Sequence, residues 1–255
     1  MDLDLAGRAY LVTGGTDGLG LALAQRLIAE GARVAVCGRS PERLAAARRV
    51  LGDDALGVVA DVTVAGELDA FVDEAIEIFG RLDGVVSNAG RSAGVPVAGS
   101  TDEQWRDDFE LKVVAAAHLA RRCEGALRAT RGSIVNVLAI SARAPGAGST
   151  PTSASRAAGL ALTKALANEL APHGVRVNAV LIGMIESGQW ARRAETTGEP
   201  LDTFYRRVAA EARIPLGRVG RAEEFADLVS FVLSPRASYV TGVGINLDGG
   251  LAPGI

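Results

Sequence analysis

Seven short runs of β-forming residues alternate with stretches of helical period along the whole chain, and that alternation leaves few folds open. The runs are RAYLVTG (8–14), RVAVCG (33–38), LGVVAD (56–61), LDGVVSNAG (82–90), GSIVNVLA (132–139), VRVNAVLIG (175–183) and GVGINLDGG (242–250). Helical patterns such as GLALAQRLIAEGA, AGELDAFVDEAIEIFG and RAEEFADLVSFVLS fill the intervals, with long ones at 102–129 and 152–172. A strand that returns through a helix re-enters the sheet parallel to its predecessor. The expected class is therefore α/β, a doubly wound parallel sheet of seven strands with helices on both faces. No repeat or linker divides the 255 residues, so one domain spanning 1–255 is expected. The segment 184–210 departs from the rhythm: it is charged, longer than an ordinary connection, and reads as a lid or loop over a binding site.

Composition removes several functional classes. With 48% hydrophobic and 22% charged residues the chain can bury one large core. Net charge is −3 with both signs interspersed, which gives no basic footprint for nucleic acid or anionic lipid. No stretch approaches the roughly 18 apolar residues of a membrane span, and the opening MDLDLAG lacks an apolar signal core. A cytoplasmic location and a small-molecule substrate are expected. Cys37 and Cys123 lie far apart without a CxxC or Cys/His cluster, so both read as structural and no metal site is expected.

The first chemistry is TGGTDGLG (13–20), where the first strand turns into the first helix. Gly14 permits the tight turn, Gly18 lets backbone approach a pyrophosphate, and Gly20 lets the helix pack on the sheet. The helix N-terminus then presents its amides to phosphate. A glycine pattern alone says little, but its place between strand and helix marks a Rossmann-type dinucleotide site.

From here the chain resembles the short-chain dehydrogenase/reductase family over nearly its whole length. The glycine loop is similar to that family's TGxxxGxG, SNAG (87–90) to its NNAG, and ADVT (60–63) to its adenine-contacting pair. VRVNAVLIG (175–183) resembles the strand leading to a PG turn, and YVTGVGINLDGG (239–250) the closing segment. The resemblance implies that Thr16, Leu19, Asp61, Val62, Asn88, Ala89 and Gly90 border the adenosine half of the cofactor. It implies likewise that Gly183, Ile185 and Ser187 face the nicotinamide amide. NAD-preferring relatives place an acid after the second strand, whereas CGRS puts Gly38 there and Arg39 next. An arginine favours a 2′-phosphate, with Thr16 and Ser40 as further donors, so NADP(H) is expected over NAD(H). The alternative is that Arg39 is a solvated surface charge. The family's paired-helix face is matched by Ala115, Ala116, Ala117, Ala157, Ala158, Ala161 and Ala165, which implies a homotetramer.

The reactive positions break the resemblance. Redox members share an Asn, Ser, Tyr, Lys tetrad, the last two as YxxxK. Aligning TSASR (152–156) with that pattern puts Thr152 at the tyrosine, Arg156 at the lysine and, thirteen residues earlier, Ala139 at the serine. Lys112 falls at the asparagine. A slip in register would offer Ser141 or Ser153 as stand-ins. A phenol ionises near pH 10 and can be lowered further, while an aliphatic hydroxyl lies closer to water's roughly 15.7, so Thr152 by itself is neither acid nor base. Arg156 can bond the nicotinamide ribose but cannot release a proton as lysine does. Replacement acids are Tyr205, in the 184–210 segment, and Lys112, whose ammonium would be weakened in an apolar cleft. The alternative for Lys112 is a stem that snorkels to solvent.

These readings give an NADP(H)-binding member with a degenerate site. Its expected activity is an atypical oxidoreductase or non-redox reaction on a small carbonyl or hydroxyl compound, with ordinary ketone reduction disfavoured. The alternative is a catalytically silent cofactor-binding sensor or partner subunit.

Overall fold

The computed structural model describes residues 1–254. Seven strands form one parallel sheet: β1 (Ala9–Thr13), β2 (Arg33–Gly38), β3 (Ala55–Val59), β4 (Gly84–Ser87), β6 (Ser133–Ala139), β8 (Arg176–Ile182) and β9 (Gly244–Leu247). Their order is β3-β2-β1-β4-β6-β8-β9. The chain moves outward from β1 to β3, then returns to build from β4 to β9. That reversal opens a crevice beyond the carboxyl ends of β1 and β4, where α/β sheets bind ligands. β5 (Gly94–Val95) and β7 (Thr150–Pro151) form a separate antiparallel ribbon.

Strand alternation divides the core into two layers. Tyr10 and Val12 of β1 point to one face, where they pack with α1 (Gly18–Ala29), α2 (Pro41–Leu51) and α9 (Ala222–Leu233). Ala9 and Leu11 point to the other, against α3 (Ala65–Phe79), α5 (Ala115–Thr130) and α6 (Thr152–Leu170). A sheet covered on both faces explains why AYLV and VAVC read as continuous apolar runs. Cys37 and Cys123 are buried and unpaired among these side chains. None of the described helices is long and apolar enough to cross a membrane.

Two segments differ from the sequence expectation. The 102–129 stretch is α4 (Asp102–Phe109), a wide π turn (Glu110–Val114) and then α5. α4 starts at a capping box in which Thr101 and Gln104 satisfy each other's backbone amides. The 184–210 segment contains two helices, α7 (Gly188–Thr197) and α8 (Leu201–Ala212), with their own apolar cluster of Ala194, Phe204, Val208, Ala209, Ile214 and Val219. Charge dominates its sequence because only one face of each helix is covered.

At the amino ends of the strands, away from the crevice, Asp83 ties the sheet together. Its carboxylate accepts from the Ala9 amide at 2.9 Å, from Arg8 at 3.1 Å and from Arg81 at 2.7 Å. The Ser133 amide donates to its carbonyl at 3.0 Å. Replacing Asp83 with alanine strands a buried backbone donor while its arginines return to water, so a loss of about 1–3 kcal/mol is expected. Chemical denaturation checks this, and a midpoint unchanged at constant slope would contradict it.

Candidate active site

The β1–α1 turn is shaped by contacts that leave no room for side chains. Gly14 has φ +64°, and a Cβ at Gly20 would lie 2.4 Å from the Gly14 carbonyl oxygen and 2.5 Å from the Asn88 amide nitrogen. That space lets Asn88 donate to the carbonyls of Thr13 at 2.9 Å and Gly14 at 3.2 Å. The Asn88 and Ala89 amides in turn donate to the Thr13 hydroxyl. The SNAG loop thus holds the glycine turn from behind, and the Asn88 side chain serves the loop's shape. Gly90 lies beside Arg156, whose Nη2 would sit 3.4 Å from a Cβ there.

The start of α7 closes on the same turn. A Cβ on Gly18 would come within 3.3 Å of the Gly188 amide nitrogen, and one on Gly188 would collide with the Asp17 carboxylate. Asp17 is paired with Arg192 at 2.9 Å. Ser187 caps α7, so the N-termini of α1 and α7 converge at the glycine loop and together favour an anion. Leu19 packs at the edge of the first core layer, Val62 and Ala89 belong to the second, and Ile185 is buried. Gly183 is required by Asp248, whose Cβ would stand 2.7 Å from its own.

At the end of β2 the structure explains the missing acid. A Cβ on Gly38 would lie 2.6 Å from the Thr16 hydroxyl, so Thr16 fills the place an Asp or Glu would need. Arg39 extends outward, with its side chain 72% exposed and 3.6 Å from Asp61. Asp61 is fixed by the Thr63 amide at 2.9 Å and hydroxyl at 2.7 Å. Ser40 caps α2, accepting from the Arg43 amide and donating to Glu42.

A buried polar cluster at the positions expected to be reactive is assembled from three elements. Lys112 in the π turn has 2% of its side chain exposed, so it does not reach solvent. Its ammonium donates to Asp108 of α4 at 2.5 Å and to the Thr152 hydroxyl at the start of α6. Asp108, with 1% of its side chain exposed, accepts from the Ser155 hydroxyl at 2.5 Å through its other oxygen. One turn further along α6, Arg156 donates to the Val137 carbonyl at 2.7 Å. Burial, and then the Arg156 charge, pull the Lys112 pKa down to about 8 against the opposing pull of Asp108. Burial lowers Arg156 to about 10, which still leaves it cationic at neutral pH. A cavity of about 20 Å³ behind these groups, lined by Ser87, Asn136, Lys112 and Arg156, is too small for a substrate.

Of the positions read from sequence, Thr152, Arg156 and Lys112 are brought together. Ala139 ends β6 beside Ile182 and offers no hydroxyl. Ser153 is no stand-in, since its hydroxyl is spent on Ser149 at 2.7 Å. Tyr205 packs in the α7–α8 cluster, 5.9 Å from the Phe204 ring, and does not line the cavity at Lys112. Burial and the nearby Glu186 raise its pKa, away from use as an acid. Arg207 is engaged by Glu199 and Glu211, and Arg193 lies over Trp190. Asp108 was not anticipated. Its signal is the i, i+4 spacing to Lys112 within DFELK.

A doubly wound parallel sheet with a glycine turn at its crevice and a polar cluster beside it defines a Rossmann-type dinucleotide-binding fold. Comparison with known proteins narrows this. Residues 14–252 match the family model described as Enoyl-(Acyl carrier protein) reductase. A ketoacyl reductase ascribed to the monensin polyketide synthase of Streptomyces virginiae is 36% identical over 252 residues, covering 96% of this chain and 97% of its own. A short-chain oxidoreductase of Pseudomonas aeruginosa with an atypical catalytic centre superposes with a TM-score of 0.94 at 36% identity, over 99% of this chain and 100% of that one. Its NADPH-bound form gives 0.92 at 37% identity, over 97% and 98% of the two chains. The L-sorbose reductase of Gluconobacter frateurii, solved with NADPH and L-sorbose, gives 0.94 at 31% identity, with both chains covered in full. The chain belongs to the short-chain dehydrogenase/reductase family.

The lowered Lys112 pKa carries a stability consequence. Between about 8 and the ordinary lysine value of 10.5 the folded protein has lost this proton while the unfolded chain keeps it. The unfolded state then binds more protons, so stability rises with pH across that window. The melting temperature of the protein relative to Lys112→Met should therefore climb from pH 7.5 to 10. A constant difference would contradict a buried, depressed lysine.

Proposed function

We propose that this chain is an NADP(H)-dependent oxidoreductase that interconverts a small carbonyl compound and its alcohol, with Lys112 as acid and base and Thr152 as its contact with substrate. The observation that carries the reading is the bond from the buried Lys112 ammonium to the Thr152 hydroxyl. A threonine need not ionise to serve here. It accepts from Lys112, so its own hydrogen is free to point into the cleft. NADPH held at the glycine turn would supply, when bound, the hydride for the carbonyl carbon. As charge develops on the carbonyl oxygen, Thr152 gives it a proton and takes one from Lys112, which becomes neutral and, being sealed from solvent itself, recovers its proton back through the Thr152 hydroxyl once the product has left the cleft. A Lys112 pKa near neutrality suits transfer in either direction. Arg156 stays charged and supplies a fixed positive field for the oxygen and the nicotinamide ribose.

The preference for NADP(H) rests on Arg39, on the Thr16 side chain that keeps an acid from position 38, and on the NADPH-bound relatives. Gly14, Gly18 and Gly20 make the pyrophosphate cradle, and Ser187 at the α7 cap is its second wall. The α7–α8 segment acts as the lid. A homotetramer is part of the proposal: Ala157, Ala161 and Ala165 form an exposed small-residue stripe on α6 that suits close helix pairing. The free buried cysteines fit a cytoplasmic location.

With a panel of ketones and aldehydes, Lys112→Met and Thr152→Val should each lower turnover by about 10²–10⁴ while leaving the NADPH dissociation constant nearly unchanged. Full activity in Lys112→Met would contradict the assignment, and a wild type that binds NADPH without any turnover would favour the silent sensor or partner subunit. By calorimetry NADP(H) should bind at least about tenfold more tightly than NAD(H), and Arg39→Ala should erase the difference. Equal affinities in the wild type would contradict the 2′-phosphate role.

A further inference from the structure

We infer that Asp108 is a positioning residue for this chemistry: its buried carboxylate aims the Lys112 ammonium at Thr152 and keeps it charged, so that the hydrogen bond to Thr152 runs outward. The inference rests on the reading of Lys112 as the acid.

The geometry singles out this carboxylate. Asp108 has no access to water, and its two oxygens are divided between Lys112 and Ser155, each at 2.5 Å. The single Ser155 hydroxyl hydrogen, given to Asp108, is shared with the Thr152 carbonyl 3.0 Å away. Asp108 on α4, Lys112 in the π turn and Thr152 with Ser155 on α6 therefore form one closed polar ring. An unpaired carboxylate or ammonium in such a place costs several kcal/mol, so each stabilises the other's presence.

Charge explains why an acid is needed. The groups facing Lys112 are Asp108 from α4, Arg156 from α6 and Arg91 from the loop after β4. Two are cations. Arg91 is itself only loosely paired with Asp107, at 3.4 Å on the surface. Without Asp108 the amine would meet two positive charges and no buried negative one, and it would shed its proton. A neutral amine accepts from a hydroxyl more readily than it donates. The Lys112–Thr152 bond would then reverse, Thr152 would point its hydrogen at Lys112, and the path to a carbonyl oxygen would close.

The chain contains only two lysines, Lys112 and Lys164, and Lys164 is exposed. This makes a site-specific titration practical. The probe is the Cε carbon signal of ¹³C-lysine in the intact protein, followed against pH, with Lys164 as the internal reference. In the wild type Lys112 should titrate near 8. In Asp108→Asn it should move down by about one unit or more while Lys164 stays in place. The alkaline limb of the kcat profile for carbonyl reduction should move down with it, and a one-unit move costs about threefold in kcat at pH 7.5 and about tenfold at pH 9, with KM little changed. Asp108→Glu, which keeps the charge, should return both toward wild type. If Asp108→Asn does not fold, Asp108→Ser carries the same test. An unmoved Lys112 titration overturns the role of Asp108 and leaves the assignment of Lys112 to the Lys112→Met measurement. A titration that moves while the kcat limb stays overturns Lys112 as the acid, and this inference with it.

Discussion

A lysine sealed from water is the constraint around which the centre of this molecule is arranged. Its ammonium must be matched by charge and by acceptors, and the fold supplies both within one turn of helix on either side. The π turn at Glu110–Val114 lies between α4 and α5 and contains Lys112 itself, a placement such turns often have at functional sites. Asp108 provides the charge, and Thr152 provides the second acceptor. Because Asp108 also grips Ser155, the same cluster fixes the start of α6 against α4. The position of Arg156 follows from that, one turn along.

The other half of the cleft obeys a separate requirement, that backbone come close to backbone. Asn88 can clasp the glycine turn only because residue 20 has no side chain. α7 can rest against Gly18 only because residue 188 has none. The consequence at the β2 end is chemical: Thr16 takes the space above Gly38, and Arg39 is the first side chain past the strand that is free to meet a ligand. Cofactor choice and loop geometry are thus one property.

Much of this was legible in the sequence. Continuous apolar runs in β1 and β2 and the glycine spacing after β1 follow from short-range rules, and they place the sheet and the phosphate turn. What was not legible depended on tertiary contact. Nothing in DFELKVV marks a π turn, because its apolar residues continue the pattern of an ordinary helix. Asp108 reads as a surface charge until the fold buries it beside Ser155, forty-seven residues away. Tyr205 reads as available because it lies in the segment expected to be a lid, yet Trp190 and Phe204 give that segment a small core of its own. An aliphatic hydroxyl such as Thr152 is too weak an acid to act alone, and the structure gives it a partner, Lys112, that the linear sequence does not join to it.

The account's central claim is that Lys112 and Thr152 deliver one proton as a unit, and a double-mutant cycle on turnover tests it most directly. Single-turnover rates of NADPH oxidation would be compared for wild type, Lys112→Met, Thr152→Val and the double variant. Groups that act in series are grossly non-additive. The account predicts that the double variant is no slower than the slower single variant. Losses that multiply would contradict it, since Lys112 and Thr152 would then contribute independently and the proton would travel by another route.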